Sequence, residues 1–89
     1  MNISCTDLYE KQLKEILEKM LKSDVSLTKK FKLYLDTIII NIPTKAKKYK
    51  KSIFFDDENI KDIEHEGYII PFYISSDNNN YLILGIIEK

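Results

Sequence analysis

Residues 60–87 read IKDIEHEGYIIPFYISSDNNNYLILGII, and the way this stretch divides decides the fold. Three apolar-rich runs, Ile60 to His65, Tyr68 to Ser75 and Tyr81 to Ile87, are separated by Glu66-Gly67 and by Ser76-Asp77-Asn78-Asn79-Asn80. Gly supplies positive φ, and Asn and Asp bond their own backbone, so both separators read as turns and the runs between them as strands. Consecutive strands joined by short polar turns pair antiparallel, which predicts a β-meander. In the middle run, alternation puts Tyr68, Ile70 and Phe72 on one face and Ile69, Pro71 and Tyr73 on the other. Both faces are apolar, so the far face is expected to be either sandwiched or open to a partner. Pro71 has no N–H to donate, which predicts an edge position or a local irregularity in its strand.

Upstream, Leu8, Tyr9, Leu13, Ile16, Leu17, Met20 and Leu21 recur at steps of one, three and four, the stripe of an amphipathic helix from about Asp7 to Lys22. Thr6 or Asp7 is the expected cap, with Asp7 and Glu10 at capping-box spacing. Glu15–Lys19 and Glu18–Lys22 place acid before base at i,i+4. Ser26 is the expected cap of a second stripe formed by Leu27, Phe31, Tyr34, Leu35, Ile38 and Ile42, which Pro43 ends. A short link makes the two helices an antiparallel hairpin, and Ile3 to Cys5 read as a short strand before it. The expected fold class is α+β, in two layers: a helix hairpin packed on an antiparallel meander, forming one domain over residues 1–89.

The chain has 89 residues and 10.5 kDa, of which 44% is hydrophobic and 31% charged, enough for one small core and no more. All 14 basic residues are Lys, and they balance 14 acids, but the charge is segregated. Up to Lys51 there are 12 Lys against 6 acids, and beyond it 2 against 8, which predicts a dipolar molecule. With Cys5 as the single cysteine, no intrachain disulfide or cysteine zinc site can form. No signal-peptide pattern or membrane-length apolar run occurs, so the expected location is the cytoplasm.

The stretches YKKSIFFDDENIKDI (49–63), GYIIPFYI (67–74) and YLILGII (81–87), behind a strand and a helix hairpin, resemble the RelE/ParE superfamily of toxins from type II toxin–antitoxin modules. The resemblance spans essentially the whole chain and lies closer to the ParE-like branch. It implies a toxin neutralised by a cognate antitoxin, with the antitoxin covering hydrophobic sheet or helix surface. ParE-like members are described as inhibitors of DNA gyrase that act by contact. RelE-like members cleave mRNA on the ribosome with basic residues, often Arg, and a C-terminal His or Tyr. Here Ile69 follows Gly67-Tyr68 where RelE-like relatives tend to carry Arg, and no His or Tyr follows Tyr81. The balance therefore falls toward a contact inhibitor, gyrase being the implied target. The alternatives are a ribosome-dependent RNA-cleaving enzyme and a degenerate, non-toxic binding module. A homodimer of the chain without its antitoxin is a further state the resemblance allows.

The residues singled out for contact with target or antitoxin are Lys47, Lys48, Tyr49, Lys50, Lys51, Lys61, Tyr68 and Tyr73. Lys supplies point charges and Tyr a stacking face, against the plainer reading of a solvated loop that keeps the protein soluble. Lys45 belongs to the same basic run. His65 is the one histidine, but strand alternation turns Glu64 and Glu66 to the opposite face, so the three cannot converge on an ion. The acids Asp56, Asp57, Glu58 and Asp62 match no calcium-loop spacing. No catalytic residue, metal or cofactor is assigned, and Cys5 is expected to be a small core residue.

Overall fold

The computed structural model describes residues 2–77 and 79–89. Asn78, in the expected second turn, lies outside the described residues. The elements run β1 (Asn2–Cys5), α1 (Asp7–Leu21), α2 (Val25–Ile40), α3 (Ile42–Lys45), a 3₁₀ turn (Ala46–Lys48), β2 (Ile60–His65), β3 (Tyr68–Ile74), β4 (Asn80–Ile83) and β5 (Ile87–Glu88). The helices lie on one face of a mixed sheet of order β1-β4-β3-β2. The expected meander is present as β2, β3 and β4. The short first strand joins it in parallel, pairing Ile3 with Tyr81 and Cys5 with Ile83.

Glu66 and Gly67 both adopt positive φ, 49° and 85°, between the paired residues His65 and Tyr68. Such a two-residue link matches the right-handed twist of the flanking strands. Gly67 adopts this conformation freely, whereas Glu66 carries a Cβ in the left-handed region. Glu66→Asn is accordingly expected to raise stability by about 0.5–1 kcal/mol, read as a higher urea midpoint at unchanged slope. No gain would mean that the turn is held by its strands alone.

The third run does not continue as one strand. β4 pairs with the end of β3 (Phe72 with Ile83), the chain bends through Leu84-Gly85-Ile86, and β5 resumes on the start of β3 (Ile69 with Ile87). Pro71 falls at this gap. Its carbonyl accepts from the Leu84 N–H at 2.9 Å, so its missing donor faces the side where the ladder is interrupted. The irregularity expected from Pro71 is thus real, but β3 is a central strand, since β2 lines its other side along Tyr68–Tyr73.

Thr6 caps α1, its Oγ1 accepting from the Tyr9 N–H at 3.0 Å and donating to the Leu84 carbonyl at 2.9 Å. One side chain thereby ends the helix and ties it to the bend in the sheet. The cap of α2 is Asp24, whose carboxylate accepts from the Leu27 N–H at 3.0 Å, rather than the expected Ser26. Pro43 both ends the hairpin and opens α3, a position where it has no N–H to waste. The ion pair seen on the hairpin is Lys32–Asp36 at 2.6 Å, a half-exposed i,i+4 contact contributing about 0.3–0.5 kcal/mol.

The core gathers Tyr9 and Leu13 of α1, Phe31, Leu35 and Ile39 of α2, and Ile63, Ile70, Phe72, Ile74, Tyr81, Ile83 and Ile86 below them. The buried stripe of α2 is Thr28, Phe31, Leu35 and Ile39, which corrects the expected one: Leu27 and Tyr34 face outward. Leu8 and Leu21 of the first stripe are likewise exposed. One further expectation is corrected, and of the two alternatives for the far face one is removed. Cys5 sits exposed on β1, at the edge of the sheet. The far face of the sheet is not an open apolar surface, since Ile60, Ile69 and Pro71 are buried there and Tyr73 is half-buried.

Candidate functional site

The basic run begins in α3 and the 3₁₀ turn. Ile42 and Ala46, one α-turn apart, point into the core. Lys45 and Lys48, three apart where the backbone has three residues per turn, emerge on the same side. Tyr49 then turns extended, and residues 50–52 lie along the outer edge of β2. There the Asp62 N–H donates to the Lys50 carbonyl at 3.1 Å and the Ser52 N–H to the Ile60 carbonyl at 2.8 Å. Lys51 faces Lys61 across this short bridge.

Between this segment, the end of α2 and β2 runs a groove of about 720 Å³. Lys45, Lys48 and Lys50 stand along it, with Ile38, Ile63 and Ile69 among its apolar walls. Among the described residues no carboxylate pairs with Lys45, Lys47, Lys48 or Lys50, so their charge is available to a partner. Lys51 is committed to Asp56 at 3.0 Å and Glu58 at 3.7 Å, and the Asp56 hydrogen bond and charge push its ammonium pKa up. Asp62 also lines the groove. One of its oxygens accepts from the Ile53 N–H at 2.9 Å, and the other is sealed with no partner.

The other residues singled out are dispersed. The ring of Tyr49 stands edge-on to Phe72 at 5.7 Å, with the Lys48 Nζ 5.9 Å from its centre, so it packs on the core and anchors the run. Lys61 donates to the Ala46 carbonyl at 3.3 Å. Tyr68 stands edge-on to Phe31 at 5.5 Å beneath α2, and Tyr73 is half-buried on the opposite face of the sheet. The structure therefore brings Lys48, Tyr49, Lys50 and Lys51 to one groove and leaves Tyr68 and Tyr73 away from it. His65 lies against Phe31 at 5.2 Å with its Nε2 buried and unpartnered. No three His, Cys, Asp or Glu among the described residues group to hold a metal ion.

Two features had no clear signal in the sequence. One is a second groove of about 770 Å³ between α1 and α2, walled by Leu13, Leu17, Leu21, Ile39 and Ile40. At its base Tyr9 is buried with its Oη unpartnered among the described residues, and desolvation raises its phenol pKa. Cys5 opens on the same groove, its thiol pKa raised first by desolvation and then by Glu10. The other is an apolar loop, Ile53, Phe54 and Phe55, exposed by 77%, 47% and 40%. The apolar triplet was visible in the sequence, but its exposure was not.

A helix hairpin on one face of a meander, with a parallel first strand at its edge, defines a two-layer α+β fold. No family model matches the chain, and no curated protein matches it. Among solved structures, one from the "Chromosomal ParDE TA system from P. aeruginosa" shares the fold, with a TM-score of 0.64 over 99% of this chain and 95% of that one at 16% identity. The chain thus has the fold of a ParDE-system component along its whole length.

Proposed function

We propose that the protein is the toxin of a type II toxin–antitoxin module, of the ParE-like branch, acting by contact on a cellular target and neutralised by a cognate antitoxin. The carrying observation is the end-to-end fold likeness to a chain of a ParDE TA system, covering 99% of this chain and 95% of that one. Contact rather than RNA cleavage is favoured by the placement of two residues. Ile69, where RelE-like relatives tend to carry Arg, is buried, and His65 is packed under Phe31 rather than presented to a substrate. DNA gyrase is the candidate target. The decisive experiment is induction in cells with and without an adjacent antitoxin gene. Growth arrest with altered supercoiling and intact mRNA supports this reading, while rapid ribosome-dependent mRNA cleavage overturns it.

The antitoxin's seat in this reading is the apolar groove between α1 and α2, where the Tyr9 hydroxyl offers a buried donor. Leu21 and Ile40 on its rim are 46% and 70% exposed, so charges placed there leave the core intact. Leu21→Asp with Ile40→Asp is expected to weaken antitoxin binding by at least 100-fold, since each carboxylate would have to be desolvated unpaired against an apolar partner. Calorimetric titration checks this, and unchanged affinity would move the antitoxin elsewhere.

A further inference from the structure

The loop after the basic run carries an apolar triplet, Ile53-Phe54-Phe55, directly followed by an acidic one, Asp56-Asp57-Glu58, all six exposed. Beside it the groove under the basic run carries the converse chemistry, apolar walls behind Lys45, Lys48 and Lys50. Ile53 stands on both, lining the groove and opening the loop. Contiguous exposed apolar patches mark association sites, whereas singly scattered apolar residues carry no such meaning. At about 720 Å³ the groove falls within the roughly 300–1,000 Å³ of sites that enclose a sizeable ligand, enough for the two rings.

We propose that the occupant of this groove is the Ile53–Glu58 loop of a second copy of the chain, exchanged reciprocally about a two-fold axis beside Ile53. Adjacency of loop and groove on one molecule is what a closed two-fold contact needs: the same patch meets itself, and each copy's knob enters the other's hole. A loop and groove on opposite sides would instead build an open chain of molecules. Phe54 and Phe55 leave water, and Asp57, together with Asp56 and Glu58 on exchanging from Lys51 of their own chain, comes opposite the carboxylate-free ammonium groups of Lys45, Lys48 and Lys50. A nucleic-acid strand fits the same surface less well, because the acidic triplet beside the groove would repel its phosphates, whereas in a reciprocal pair that triplet is drawn to the other copy's lysines. The inference stands on this chain's surface alone and does not depend on the toxin reading.

The test is a charge exchange between two full-length variants, followed by sedimentation velocity. One carries Lys45→Glu with Lys48→Glu, and the other Asp56→Lys with Glu58→Lys. In a reciprocal dimer each variant alone sets like charges against like, so each dissociation constant should rise at least tenfold over wild type. Their equimolar mixture should restore the dimer as a heterodimer, since both contacts then join opposite charges. Phe54→Ser with Phe55→Ser should weaken wild-type dimerisation at least tenfold, an effect salt cannot mimic. A wild-type chain that stays monomeric at millimolar concentration overturns the proposal, as do single variants that dimerise unchanged and a mixture that does not recombine. Species larger than dimers overturn the two-fold arrangement. A monomeric wild type that holds a single-stranded oligonucleotide, and loses it with Lys45→Glu and Lys48→Glu, assigns the groove to nucleic acid instead.

Discussion

Phe72→Ala is expected to cost about 3–5 kcal/mol of folding stability. Phe72 is fully buried at the centre of the sheet, pairing with Lys61 on one side and Ile83 on the other, so little can collapse into the space it leaves. A chain of this length has roughly 5–13 kcal/mol in total. The substitution thus removes a large fraction of the whole, readable as a lower urea midpoint by circular dichroism. It should also reach the surface. Tyr49 holds the basic run against the ring of Phe72, so trypsin should cut after Lys47, Lys48 and Lys50 faster than global unfolding alone allows. A cost below about 1.5 kcal/mol, or cleavage that only tracks global unfolding, would show that the run is held by other contacts.

The second large effect lies where the helices meet the bend in the sheet. The Gln12 side chain reaches from α1, and its Oε1 accepts from the Ile86 N–H at 2.9 Å. A Cβ on Gly85 would come within 2.8 Å of that oxygen. Gly85→Ala must therefore push the amide away and leave a buried N–H unpaired, a loss of about 1–3 kcal/mol. Gln12→Ala removes the same acceptor and should cost about as much. Because both act on one bond, the double variant should cost little more than either alone, and additive losses would sink the account.

These residues also show how much could be read from the sequence. The turn at Glu66-Gly67, the helix hairpin and the order of strands are written in local chemistry, and the resemblance drawn from residues 49–87 led to the fold the molecule has. The rotation of α2 was not legible, because Leu27, Leu33, Tyr34 and Ile40 give it apolar residues on its outer side as well, so periodicity alone supports more than one stripe. The break after Ile83 was hidden for a different reason. Gly85 marks a close approach, but the group that approaches is the Gln12 side chain of α1, far away in sequence. At the basic run, spacing showed the charges and not their setting. Whether Tyr49 offers its ring to a partner or to the core depends on Phe72, which periodicity cannot place beside it.

The parallel seam between β1 and β4 bears on how the molecule comes into being. Asn2–Cys5 pair with Asn80–Ile83, and Thr6 bonds to Leu84 across a separation of 78 residues. Joining such distant segments costs roughly 4 kcal/mol in loop closure before any contact repays it. The helix hairpin is local and forms early, whereas the first strand emerges from the ribosome with nothing to pair against. It waits until the last hairpin has been synthesised. The sheet is therefore completed only once residues 80–83 have been made, and a chain truncated before them has the helix hairpin but not the finished sheet.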